Sequence, residues 1–155
     1  MIAVLQRAKR AAVRVEGAVT GEIGKGLLVL LGVAEGDSEK EAEMLAAKVL
    51  RCRIFEDENG KMNRSVTDVS GGVLVVSNFT LLANYRRGNR PDFMGAAAPA
   101  RANELYTYFT ALVRREVDEV GTGVFGAEME VELVGDGPVT IVMNTDVLKQ
   151  SKKES

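Results

Sequence analysis

Apolar residues recur along this chain at two spacings, and the changes between them divide it into elements. Residues 2–7 and 13–15 read as two short strands, with Val13 and Val15 alternating against Arg14 and Glu16. A Glu16-Gly17 turn leads to a further strand over 19–23, and the glycine-bracketed apolar run 26–32 predicts a strand buried on both faces. At Ser38 the spacing becomes helical. Ser38-Glu39-Lys40-Glu41 is a capping box, in which each side chain satisfies a backbone N–H that the helix start leaves free. The helix it opens places Ala42, Leu45, Ala46, Val49 and Leu50 on one face. Residues 53–56 return to a strand, and Asp57-Glu58-Asn59-Gly60 turns it into a hairpin. Val73–Val76 form another strand ending at Ser77, and residues 82–97 are irregular and basic. Pro99 suits the first turn of a second helix, whose Leu105, Tyr108, Phe109, Leu112 and Val113 make a core-facing stripe. Met129, Val131 and Leu133 alternate with Glu130 and Glu132, a Gly-Asp-Gly-Pro turn follows at 135–138, and Val139–Met143 form the last strand.

Strands, helix, strands, helix, strands is the order of a mixed α/β fold. We expect barrel-like or sandwiched β-sheets with two helices packed on one side. With 155 residues the chain is one domain over 1–145, followed at 146–155 by a polar tail expected to be disordered. No apolar run reaches the roughly 18 residues that span a bilayer. The start MIAVLQRAKR sets its apolar residues before its basic ones, unlike a signal peptide, so a cytoplasmic location is expected.

Composition narrows the chemistry more than the fold. There is no histidine and one cysteine, Cys52, so the chain cannot assemble a Ser-His-Asp or Cys-His pair or an ordinary zinc site, and no metal or cofactor is expected. Cys52 lies between Arg51 and Arg53, neighbours that favour a thiolate, but a lone cysteine near a helix end is read as packing material. Gly24-Lys25-Gly26 precedes a strand instead of following one, which excludes a phosphate loop. Asp57–Gly60 lacks the later glutamate of a calcium loop. The formal charge is −2, yet Arg7, Lys9, Arg10 and Arg14 share the first 14 residues with no acid, and Arg86, Arg87 and Arg90 cluster likewise. Two basic patches on an acidic chain suit local contact with an anion such as RNA.

Two segments offer hydroxyls and backbone N–H groups where strands end: Ser77-Asn78-Phe79-Thr80-Leu81 and Gly135-Asp136-Gly137-Pro138-Val139-Thr140. Taken alone, the first is a strand leaving its sheet and the second a tight turn. With Met1–Arg7, Gly21–Gly32, Arg53–Asn63, Arg87–Phe93 and Phe125-Gly126-Ala127 they form an ordered set that resembles the D-aminoacyl-tRNA deacylases, formerly D-tyrosyl-tRNA deacylases, from Met1 to about Met143.

The resemblance implies the D-tyrosyl-tRNA deacylase-like fold, a homodimer, and hydrolysis of D-aminoacyl-tRNA with rejection of the L-form. It implies that the Gly137-Pro138 peptide, cis in the family, enters the partner's pocket as a chiral gate, reading the α-amino group through main-chain carbonyls and letting glycyl-tRNA through. Ser77, Asn78, Phe79 and Thr80 would form the catalytic segment, with N–H groups around Phe79 and Thr80 facing the oxyanion and the substrate's own 2′-hydroxyl assisting water. Alternatives are Thr80 as covalent nucleophile, a non-catalytic RNA-binding module on the same scaffold, or an esterase or amidase acting on free small molecules. Arg7, Arg86, Arg87 and Arg90 are the expected contacts to tRNA phosphates. The chain departs from the family pattern at Asn78, where glutamine is usual, and at Gly135, where asparagine is usual.

Overall fold

The computed structural model describes residues 1–150. Its backbone is a nearly closed, barrel-like sheet with helices on one side, as the element order implies. The strands are β1 (Ile2–Val15), β2 (Ala18–Ile23), β3 (Gly26–Gly32), β4 (Phe55–Glu56), β5 (Met62–Arg64), β6 (Gly72–Ser77), β7 (Val120–Thr122) and β8 (Glu130–Asn144). The helices are α1 (Glu39–Arg51), α2 (Pro99–Arg114) and α3 (Thr145–Gln150). The main sheet runs β2-β1-β3-β6-β7, with β8 on the other edge of β1, and β4 and β5 form a separate hairpin. The barrel approaches closure where Gly24 donates to the Glu119 carboxylate at 2.8 Å and the Thr20 hydroxyl to the Thr122 carbonyl at 3.4 Å.

β1 is one long strand where the pattern suggested two. Its first half pairs with β3 and its second half with β2, while β8 runs beside both. Lys9 and Arg10, exposed at the changeover between partners, are what break the apolar alternation.

β3 is buried on both faces for a reason visible in the packing. Leu27, Val29 and Leu31 join the core under the helices, while Leu28 joins Ala8, Ala11, Val13, Ile23, Leu74 and Val76 inside the barrel. Its parallel pairing with β6 is close enough that a Cβ on Gly26 would lie 1.9 Å from the Gly72 carbonyl oxygen.

The capping box opens α1: Ser38 accepts from the Lys40 N–H at 3.3 Å, and Glu41 accepts from the Ser38 N–H at 2.7 Å. Ala42, Leu45, Ala46, Val49 and Leu50 are buried, as their spacing predicts. On α2, Leu105, Phe109 and Val113 are buried while Tyr108 and Leu112 sit half-buried at the edge of the stripe. Tyr106 is the buried aromatic the stripe omits; its hydroxyl donates to the Val75 carbonyl at 3.2 Å. Residues 146–150, expected to be disordered tail, instead complete α3, which starts at Thr145 and is tied to α1 by a Lys149–Glu41 ion pair at 2.8 Å. Residues 151–155 lie outside the described residues. Among the described residues no helix is long and apolar enough to cross a membrane.

The expected turn at 135–138 is instead a bulge inside one continuous strand. Gln6 pairs with Thr140 and Ala8 with Gly135, so Arg7 alone stands opposite Asp136, Gly137, Pro138 and Val139. Proline lacks a ladder donor and glycine tolerates unusual backbone angles, so residues that spell a turn serve equally in a bulge.

Candidate active site

The site is built from the end of β6. Its pairing with β3 finishes where the Asn78 N–H donates to the Leu31 carbonyl at 2.8 Å. The chain then enters a single 3-10 turn, Phe79–Leu82, because Asn78 offers its side-chain oxygen as an N-cap. That oxygen accepts from the Thr80 N–H at 3.2 Å and also from the Thr80 hydroxyl. Asn78 therefore spends its carboxamide oxygen on its own turn, which a shorter side chain than glutamine reaches directly.

Beside this turn lies a cavity of about 650 Å³. Ser77, Asn78 and Phe79 form one wall; Phe93, Met94, the run Ala96 to Pro99 and Ala102 form a second; Phe125, Gly126, Ala127 and Met129 form a third. Most of these groups are apolar. Phe79 is 59 % exposed and meets Phe93 edge-on, with ring centroids 5.2 Å apart and planes at 81°. A rim aromatic of this kind offers a face on which a planar base can stack. The cavity takes in Ser77, Asn78 and Phe79 of the four catalytic candidates, and Thr80 stands next to them in the turn.

Phe93, Met94, Phe125 and Met129 are site residues that the sequence reading left without a role. The strings around Phe93 and Phe125 were part of the family resemblance, and that was the available signal. Periodicity could not find them, because they sit in loops or at strand ends.

The basic loop stands at the edge of this region. Backbone hydrogen bonds between Asn84 and Asp92, at 2.8 and 3.0 Å, close its base, and Arg86, Arg87 and Arg90 are exposed on it without an ion pair among the described residues. Arg7 is different from the contact expected of it. It is buried, its Nε donates to the Asp136 carbonyl at 3.0 Å, and a terminal nitrogen donates to the Ile54 carbonyl at 2.7 Å. The Asp136 carboxylate adds a contact at 3.4 Å. Buried and turned inward onto these carbonyls, Arg7 is an internal brace and not the exposed phosphate contact expected of it.

What Arg7 braces is the bulge. Gly137-Pro138 is a cis peptide, and Gly137 has φ +134°. A Cβ on Gly137 would meet the Val139 nitrogen at 2.7 Å, so only glycine fits both the angle and the space. Gly137 and Pro138 are exposed on β8 and do not line the cavity of their own chain. A side chain at Gly135 would meet nothing within 4 Å, so that departure opens no gap within the subunit.

Cys52 packs against the helix-side core, and burial pushes its thiol pKa up despite Lys48 nearby, which fits a packing role. Among the described residues no group of three or more Cys, Asp or Glu side chains is placed to hold a metal ion.

Residues 4–144 match the family model described as D-Tyr-tRNA(Tyr) deacylase. The chain is 58 % identical over 144 residues to the D-aminoacyl-tRNA deacylase of Deinococcus radiodurans, covering 93 % of this chain and 99 % of that one. It is 56 % identical over 154 residues to the enzyme of the same name from Koribacter versatilis, covering 99 % of each. Among solved structures it resembles the c-Myc DNA Unwinding Element Binding Protein, with TM-score 0.88, 41 % identity and coverage of 93 % and 98 %. A probable eukaryotic D-amino acid tRNA deacylase shares the fold at TM-score 0.78 and 17 % identity, over 92 % and 97 % of the two chains.

Proposed function

The chain belongs to the D-Tyr-tRNA(Tyr) deacylase family, and from its site we propose that it hydrolyses the ester of D-aminoacyl-tRNA, releasing the D-amino acid and tRNA. The observation that carries the mechanism is the turn after β6, where the cavity adjoins first-turn N–H groups and no side chain able to act as a base accompanies Thr80. The Thr80 hydroxyl donates to a carboxamide oxygen, which is too weak a base to take its proton. That disfavours a covalent threonine and favours attack by water. N–H groups at the start of a helical turn lack acceptors within that turn, and around Phe79 and Thr80 they are the groups available to a developing oxyanion. Thr80 N–H would exchange its Asn78 contact for the oxyanion as charge builds. The 2′-hydroxyl of the terminal adenosine assists water, the acyl C–O bond breaks, and the 3′-oxygen leaves with a proton.

Selection between enantiomers falls to Gly137-Pro138. These residues are exposed on β8 and do not line the cavity of their own subunit, so a second copy of the chain is the source that would bring them to it. In such a homodimer, main-chain atoms hold the α-amino group and leave no space for an L side chain, while glycyl-tRNA is accepted. Arg86, Arg87 and Arg90 would meet phosphates near the acceptor end. The cytoplasm, where charged tRNA is used, is the corresponding location.

The test is to incubate the protein with D-Tyr-tRNA, L-Tyr-tRNA and a free D-tyrosine ester, and to follow loss of each. Selective loss of D-Tyr-tRNA is the expected result. Equal loss of both enantiomers would reject chiral selection, no loss would leave an RNA-binding module, and rapid loss of the free ester would indicate a small-molecule esterase.

A further inference from the structure

A second depression, of about 360 Å³, lies away from the cavity, between the C-terminal half of α1 and β8. Lys48 and Arg51 contribute from α1, Arg53 from the segment that follows, and Met44, Cys52 and Met143 supply apolar surface. Lys48 and Arg51 are three residues apart and so share a helix face. All three cations are exposed, and none forms an ion pair among the described residues. Asp68 feels the charge of Arg53 only weakly, and its carboxylate already accepts from the Ser65 N–H at 2.9 Å. Three cations converging on one groove repel one another unless an anion joins them.

The groove is also fixed in relation to the Gly137-Pro138 bulge. Ile54, next to Arg53, accepts from Arg7, and Arg7 in turn holds Asp136. Met143 stands five residues along β8 from Pro138, roughly 17 Å at strand spacing. Spaced cations over an apolar floor suit a polyanion with alternating charged and uncharged parts better than a single small anion.

We propose that this groove seats the sugar–phosphate backbone of the tRNA whose aminoacylated end lies against Gly137-Pro138 of the same subunit. The identity of the RNA rests on the deacylase reading above; the groove as a polyanion site does not. Each phosphate contact releases counterions, so three such contacts steepen the salt dependence of binding by about 2 in the logarithmic slope.

The experiment compares the wild type with a Lys48→Ala, Arg51→Ala, Arg53→Ala triple variant and with Arg51→Glu alone. Three readouts are taken: turnover of D-Tyr-tRNA, turnover of D-tyrosyl-adenosine (which has no phosphate), and binding of uncharged tRNA across a salt series. The triple variant is expected to raise KM for D-Tyr-tRNA about tenfold or more, with kcat nearly unchanged and a salt slope lower by about 2. Its turnover of D-tyrosyl-adenosine should match the wild type. Unchanged KM and slope would overturn the proposal, as would equal losses on both substrates, which would mean damage to the cavity. A wild type that binds tRNA through the groove yet spares D-Tyr-tRNA would reject the deacylase reading and keep the groove. Arg51→Glu keeps the test open if the triple variant misfolds.

Discussion

Arg7 offers the sharpest test of how β8 is held in shape. Replacing it by methionine keeps the aliphatic stem and removes both donors, leaving the carbonyls of Ile54 and Asp136 without the guanidinium. Hydrogen bonds to a charged group contribute about 1.5–3 kcal/mol each. The Ile54 side is buried and the Asp136 side only partly so, which places the combined loss at about 3–4 kcal/mol. For a domain of this size that lowers Tm by about 10 °C and leaves it folded at 25 °C. If the bulge carries the chiral gate, freeing it should also cost about a hundredfold in kcat, the usual penalty for a misplacement near 1 Å. Arg7→Lys keeps the charge but reaches one carbonyl, so it should fall between. Thermal melts with single-turnover deacylation of D-Tyr-tRNA measure both effects. A methionine variant with unchanged Tm would refute the brace. One that melts early yet keeps kcat within about threefold would show that Arg7 supports the fold without positioning Gly137-Pro138.

Other consequences can be checked separately. Burial raises the pKa of Glu41, but hydrogen bonds from Lys149 and Ser38 outweigh it and bring the group down to about 2 from 4.5. A depressed carboxylate stabilises the fold above its unfolded pKa, so this contribution should be full at pH 6 and fade as pH falls from about 4.5 to 2. Because Lys149 is half exposed, about 1–3 kcal/mol is expected; denaturant melts of Glu41→Gln should differ from the wild type at pH 6 and converge near pH 2. Gly26→Val should prevent folding, since its Cβ would overlap the Gly72 carbonyl; soluble yield and far-UV circular dichroism would show this, and a well-folded variant would contradict the close pairing of β3 with β6. Thr80→Ala should lower kcat less than about tenfold, through loss of one hydroxyl contact at the turn, whereas a covalent nucleophile would lose about 10⁴-fold or more. Burst kinetics with D-Tyr-tRNA separate the two.

Much of this protein was written in local pattern. Ser38 and Glu41 announce α1 because capping is chemistry between residues three apart, and the buried face of α1 follows because helical spacing repeats within one element. The double burial of β3 was legible for the same reason: a strand with no polar position has no face to give to water. The absence of histidine, and of any usual base beside Thr80 in the sequence, limits the chemistry whatever the fold. Tertiary structure decided what depends on partners distant in sequence. β1 continues through Lys9 and Arg10 because two different strands take its edge in succession, which residues 8–12 cannot state by themselves. Gly135 to Pro138 is a bulge because Arg7, 129 residues from Asp136, stands opposite it and holds it. Turn and bulge demand the same residues locally, so only the pairing of β1 with β8 separates them. Arg7 likewise reads as a basic surface residue until the fold closes around it. A side chain's charge is local information; whether it faces water or a carbonyl is settled by the chain that packs above it.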